Sequence, residues 1–316
     1  MLYNKSAVKN RIPVTKTQIE LARKAPLFEL DKKILDYIRK DVVKGAETYY
    51  SMRKISDRIN EIISYDYSHT FKGIRTASQV LKDKRGHCIE QGILFYAITK
   101  GLKIPTKPLI VKNPKGYHGS KLIENLGIHV FLLFEDNDDN DDNKYLADFL
   151  CIKKFRENGF CISQQRLSER EFVAFCLQDG GEDFAIHRNY KNAFLAFDAA
   201  KMIDPNNYTI YISAADAASN KGDLKKAEKW YKNAIKIAPN LTDTHWAYAD
   251  FLFRAYVSPS YARRAYVIAA EKSTKDIQIL NDLEKKLLLF GESELSETVK
   301  NKRLSIQNSK KLEGYF

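Results

Sequence analysis

The chain has 316 residues, 44% apolar and 29% charged, which excludes a disordered or low-complexity protein and gives core enough for about two domains of ~150 residues each. Lys and Arg outnumber Asp and Glu 52 to 40, a net charge of +12; no block of five basic residues occurs, so the excess reads as solvated surface and a nucleic-acid partner is not expected. No stretch approaches the ~18 apolar residues of a membrane helix, the opening MLYNKSAVKNRIPVTK lacks the apolar segment of a signal peptide, and the four cysteines form no C-x-x-C pair, so the expectation is a cytoplasmic protein with reduced thiols, no membrane association, no metal and no other cofactor.

The first third is predicted to be helical. Leu30, Ile34, Leu35, Ile38 and Val42 fall at helical spacing behind a candidate N-cap, Asp31, and Ile55, Ile59, Ile62 and Ile63 repeat the pattern. A turn-like stretch over 65–73 leads to a short helix over 76–81. Arg85-Gly86-His87-Cys88 then precedes an amphipathic run of Ile89, Ile93, Leu94, Ala97, Ile98 and Leu102, a helix opening at Cys88 and ended by Gly101 and Pro105. Strands are predicted over 108–111, 127–134 and 144–150. The acidic stretch 135–143 between the last two has the alternation of Asp136, Asp138 and Asn140 but neither the glycine nor the distal glutamate of an EF-hand loop, so it reads as a solvated hairpin tip. Ser168, with Glu171 three residues on, marks the start of a helix over 168–177.

From about residue 189 the chain becomes repetitive. Ala193, Phe197, Ala200 and Pro205 recur 34 residues later as Ala227, Tyr231, Ala234 and Pro239, and 35 further on as Ala262, Tyr266 and Ala269. Small residues let paired helices approach, the aromatic fills the gap, and proline ends the second helix. With Gly222-Asp223 at the turn, this resembles the tetratricopeptide repeat: one full repeat, the second helix of a preceding one, and a looser one after. Tyr211 stands where the family usually has Trp, and Ala215 where Gly is common. Residues 277–290 are expected to form a final capping helix, followed from about 296 by a polar tail.

Chemistry concentrates around one cysteine. A thiol at a helix N-terminus feels the positive end of the helix dipole, which favours the nucleophilic thiolate; Cys88 is predicted there. His129 and Asp148 each interrupt an otherwise apolar strand. If they lie opposite one another in an antiparallel pair, the turn centres between Asp138 and Asp139, the most turn-prone stretch of the chain. An imidazole beside the thiol and a carboxylate orienting that imidazole complete a Cys-His-Asp site. His87 reads as an exposed neighbour of the thiol, or as a group that gates access or shifts its pKa; His118 reads as a loop residue; Cys151, Cys161 and Cys176 read as core or surface thiols.

The residues Thr76-Ala77, Val80-Leu81, Gly86-x-Cys88, Gly101-Leu102-x-Ile104-Pro105, Ile128-His129-x-Phe131 and Leu146-x-Asp148 together resemble the transglutaminase core. The resemblance implies a papain-like α+β fold, with a thiol-bearing helix against an antiparallel sheet, and places the family's nucleophile, base and carboxylate on Cys88, His129 and Asp148. It implies a cysteine enzyme acting on amide bonds of protein or peptide substrates through a thioester, by hydrolysis, deamidation or amine transfer; an inactive transglutaminase-like scaffold is the alternative. Ile89 replaces the Trp that many members carry after the cysteine. Trp230 and Trp246 lie too far downstream to serve as the crosslinking enzymes' aromatic oxyanion donor, which leaves Tyr65 and Tyr67 as candidates. The zinc-binding cysteines of peptide N-glycanases are absent. The expected organisation is a transglutaminase-like domain over 1–187, tetratricopeptide-like repeats over 188–275 that offer a surface to a protein partner, and the capping helix and tail over 276–316.

Overall fold

The computed structural model describes residues 27–40, 54–55, 57–59, 61–65, 75–104, 106–113, 127–134, 145–147, 163–255, 259–272, 274 and 276–313. These fall into two compact units, one within Ile19–Asn113 and Ile128–Asp179, the other chiefly within Gly180–Phe316.

The first unit is built around one buried helix. Helix α1 (Lys32–Arg39) starts at Asp31, whose carboxylate accepts the Lys33 N–H at 2.8 Å. Residues 54–55, 57–59 and 61–62 are helical, and Ile55, Ile59 and Ile63 are buried. Helix α2 (Ala77–Asp83) opens on a reciprocal cap between Thr76 and Gln79, which satisfies two of the backbone donors every helix start leaves open. Helix α3 (Cys88–Leu102) follows. Residues 89–99 are all buried, Glu90, Gln91 and Thr99 included, so α3 is covered on every side rather than on the one face an amphipathic surface helix buries. Gly101 does not end it. A Cβ there would stand 2.7 Å from the Leu35 side chain, so the glycine allows α1 and α3 to approach, and the left-handed C-cap is Lys103, at φ 61°.

Two short strands, β1 (Ser64–Tyr65) and β2 (Arg85–Gly86), pair in parallel, with Tyr65 opposite Gly86. Strands β3 (Thr106–Asn113), β4 (Gly127–Phe134), β5 (Tyr145–Ala147) and β6 (Ser163–Arg166) form a second sheet in the order β5-β4-β3-β6. β3 and β6 run antiparallel, with Leu109 opposite Arg166, as do β4 and β5, with Leu133 opposite Leu146. Helix α4 (Glu169–Ile186) begins at Ser168, which exchanges hydrogen bonds with Glu171, and buries Phe172 and Cys176 in the core of α3. The rings of Phe28, Tyr96 and Phe172 pack there with centroids 4.9–5.7 Å apart.

α4 runs nine residues past the expected end at 177, through Gly180-Gly181. Its last turns belong to the second unit. A Cβ on Gly181 would come within 2.7 Å of the Phe197 ring on α5 (Tyr190–Ile203), so this glycine is a packing requirement rather than a stop. Helices α6 (Tyr208–Lys221), α7 (Leu224–Ile237), α8 (Thr242–Ala255), α9 (Pro259–Ala270), α10 (Ile277–Leu289) and α11 (Ser293–Glu313) continue the unit. α6 packs on α7, α8 on α9, and α10 on α11. The repeating positions Ala193, Phe197 and Ala200; Ala227, Tyr231 and Ala234; and Ala262, Tyr266 and Ala269 are fully buried, and all but Ala200 belong to one core. Residues 293–313, expected to be mostly a polar tail, form a helix that buries Val299 and pairs Arg303 with Glu284 at 2.9 Å.

A second periodicity runs beneath the aromatic one. Glu182, Asp216, Asp250 and Glu284 are spaced 34 residues apart on α4, α6, α8 and α10, and the first three are buried. Glu182 accepts from Ser213, Asp216 from Tyr231, and Asp250 from Tyr266 at 3.3 Å. Arg254 bridges Asp250 at 2.8 Å and Asp216 at 3.4 Å. Burial raises the Asp216 carboxyl above its ordinary range, against the pull of Tyr231 and Arg254.

Candidate active site

Cys88 is the first residue of α3. At that position its backbone lies in the turn where unpaired N–H groups concentrate positive potential. The cap that starts the helix is His87. Its Nδ1 accepts the Ile89 N–H at 3.2 Å, which leaves the ring proton on Nε2, and the ring is buried rather than exposed. Glu90 completes a reciprocal cap by accepting the His87 N–H at 3.3 Å.

Glu90 is fully buried and held by a fork. Arg75 Nε donates to its Oε1 at 2.8 Å and Arg75 Nη2 to its Oε2 at 2.6 Å, while the Arg75 backbone N–H reaches Oε1 at 3.2 Å. Arg75 Nη1 continues to Asp83 at 2.9 Å. The hydrogen bonds to Glu90 raise the guanidinium pKa further. On the other flank Gln91 Nε2 holds the Gly86 carbonyl at 3.1 Å, and the β1–β2 register sets the Tyr65 backbone beside Gly86, two residues before Cys88.

His129 lies on β4, in the strand expected for it. The β4–β5 register pairs Leu132 with Ala147 and Phe134 with Tyr145, two residues away from the register that would set His129 directly opposite Asp148. A shift of two keeps the same residues on the same face, because side chains alternate with period two. Asp148, Tyr67, His118, Cys151, Cys161 and the acidic stretch 135–143 lie outside the described residues. Cys176 is a core thiol: burial, then Asp179, push it well above the ordinary range, so it is no competing nucleophile. Among the described residues no group of three or more His, Cys, Asp or Glu is placed to hold a metal ion, and no helix is long and apolar enough to cross a membrane.

The Arg75–Glu90–His87 cluster was not singled out in the sequence. Its signal was present: Glu90 is a charge inside the apolar run from Ile89 to Ile98, three residues after the cap. Histidine is not among the usual N-caps, so the pattern does not announce itself.

Residues 36–138 match the family model described as "Transglutaminase-like superfamily", a segment that includes Cys88 and His129 and ends before Asp148. No curated protein matches the chain. Among solved structures the chain is similar to the crystal structure of menin, described as revealing the binding site for Mixed Lineage Leukemia (MLL) protein, at 12% identity and a TM-score of 0.41, over 89% of this chain and 72% of that one. Residues 36–138 of this protein thus carry a transglutaminase-like domain.

Proposed function

We propose that this protein is a transglutaminase-like cysteine enzyme that acts on amide bonds of protein or peptide substrates through a thioester on Cys88. The observation that carries the reading is that Cys88 opens the buried helix α3 within the matched segment. In the proposed reaction the Cys88 thiolate attacks the amide carbonyl carbon and a tetrahedral oxyanion forms. The C–N bond then breaks, and the amine leaves with a proton from the His129 imidazolium. Water or a second amine attacks the thioester with His129 as base and frees the thiol, giving an acid or a new amide. Asp148 orients the imidazole. Of the two candidate oxyanion donors Tyr65 has the stronger support, since the backbone register sets it beside Gly86; the Cys88 N–H is a second donor.

The paired helices from α4 to α11 are read as tetratricopeptide-like repeats presenting a surface to a protein partner. The 34-residue recurrence of buried Ala, aromatic and Ala positions supports that assignment, and the first helix of the earliest repeat is the end of α4. The same array favours a second reading, an inactive scaffold whose working part is the repeat.

Two measurements test the proposal. Incubating wild type and Cys88→Ala with cell lysate and trapping adducts by mass spectrometry should give a thioester on the wild type alone. Iodoacetamide should alkylate Cys88 well below about pH 8.5, the ordinary thiol midpoint, and faster than Cys151, Cys161 or Cys176. Slow labelling of all four at one rate would leave the scaffold.

A further inference from the structure

An acid in the first turn stabilises a helix by complementing its dipole. The same acid weakens the positive potential that favours a thiolate at the first position. α3 meets both demands within one turn: Glu90 makes the reciprocal cap, and Cys88 stands two residues before it. The conflict is resolved by Arg75, whose fork covers both oxygens of a carboxylate that water does not reach. Bidentate, charge-assisted bonds of this kind fix orientation as well as charge.

We propose that Arg75 and Glu90 are positioning residues for Cys88: Glu90 locks the first turn of α3 through His87, and Arg75 cancels the Glu90 charge so that the turn keeps its positive potential at the thiol. The proposal rests on the reading of Cys88 as the nucleophile. Among the described residues, the charged and titratable groups around Glu90 are Arg75 and, through it, Asp83 on α2; His87 at the cap, with Nε2 3.9 Å from Glu90; and, on α4, the Cys176 thiol, which in turn feels Asp179. Arg75 is the cation that hydrogen-bonds Glu90, so removing either member of the pair changes the net charge at the helix start by one.

The test is the pH midpoint of Cys88 alkylation by iodoacetamide in the full chain, followed on the Cys88 peptide by mass spectrometry. Glu90→Gln keeps an acceptor for the cap and leaves Arg75 with Asp83 as its remaining acid; its midpoint falls, and labelling below the wild-type midpoint speeds up about threefold or more, on the scale of single-charge shifts. Arg75→Gln leaves Glu90 uncompensated; its midpoint rises, with labelling slowed by a similar factor. The double variant returns close to wild type. A merely structural pair would loosen the turn and move both single variants the same way. Movement in one direction, or none in variants whose circular dichroism matches wild type, overturns the proposal. The downward shift of Glu90→Gln is the deciding sign; if that variant does not fold, Arg75→Lys, which keeps the charge and loses the fork, decides, with a midpoint near wild type supporting charge cancellation and one raised as far as in Arg75→Gln overturning it. The two readings fail separately. An ordinary wild-type midpoint sinks Cys88 as nucleophile even where the opposite shifts appear, and a low wild-type midpoint unmoved by the variants sinks only the positioning pair.

Discussion

Asp216 shows how a single buried charge ties stability to pH in the second unit. One oxygen takes Tyr231 and Arg254, and the other has no hydrogen-bond partner among the described residues. Asp216→Ala should destabilise the protein by about 2–3 kcal/mol, because Tyr231 loses its partner and Arg254 keeps only Asp250; urea unfolding measures this, and a loss under about half a kcal/mol would mean the network carries no weight. The raised carboxyl gives a signed expectation. The folded state keeps a proton that the unfolded chain has already released, so this group's contribution is full below the unfolded value of about 4 and is lost as pH rises toward the folded value. Asp216→Asn cannot titrate. Its stability relative to wild type should therefore grow as pH rises above about 4, and parallel curves across that range would refute the shift. Cys176, buried beside Phe172 in the first unit, should resist alkylation until the protein unfolds.

Among the elements, α3 and α4 carry the clearest consequences of packing. Both hold a glycine that reads as a helix stop and serves as a contact. Gly181→Ala would force a methyl against the Phe197 ring, and Gly101→Ala would force one against Leu35. Ala is the better helix former by about 1 kcal/mol, so propensity alone predicts stabilisation. Overpacking of about 1–3 kcal/mol opposes it. The expected outcome is net destabilisation for Gly181→Ala, whose neighbour is a fully buried ring with nowhere to move, and a smaller effect for Gly101→Ala, where an aliphatic side chain can turn aside; thermal melts of the two variants decide. The same elements show what local patterns convey. Asp31 and Ser168 act at helix starts as their spacing suggests, and Thr76, expected as the first residue of a helix, caps the one that begins at Ala77, because capping is settled within four residues. β6 carries no such sign: Ser163-Gln164-Gln165-Arg166 has neither alternation nor β-branched residues, and it is a strand because the edge of β3 supplies its partner.

For the whole molecule, the second unit extends to residue 313, with α11 as a full member. Val299→Asp should cost at least about 2 kcal/mol by burying an unpaired carboxylate, whereas a neutral result would place that helix outside the core. The repeat was legible from residue 193 onward because its Ala and aromatic positions must recur wherever one helix pair stacks on the next. Its beginning was hidden, because Gly180-Gly181 punctuates the chain by every local rule while the Phe197 ring needs the space. The sequence by itself determined the transglutaminase-like segment, the helix that opens at Cys88, the strand that carries His129 and the period of the helical array, since each rests on caps, spacing or recurrence along the chain. Only the tertiary structure decided that His87 caps that helix from a buried position, that Arg75 pairs with Glu90 fifteen residues away, and that Asp216 and Asp250, 34 residues apart, share Arg254 while each holds its own tyrosine. The last two are contacts between side chains distant in sequence, fixed by burial, where an unpaired charge costs too much to remain alone.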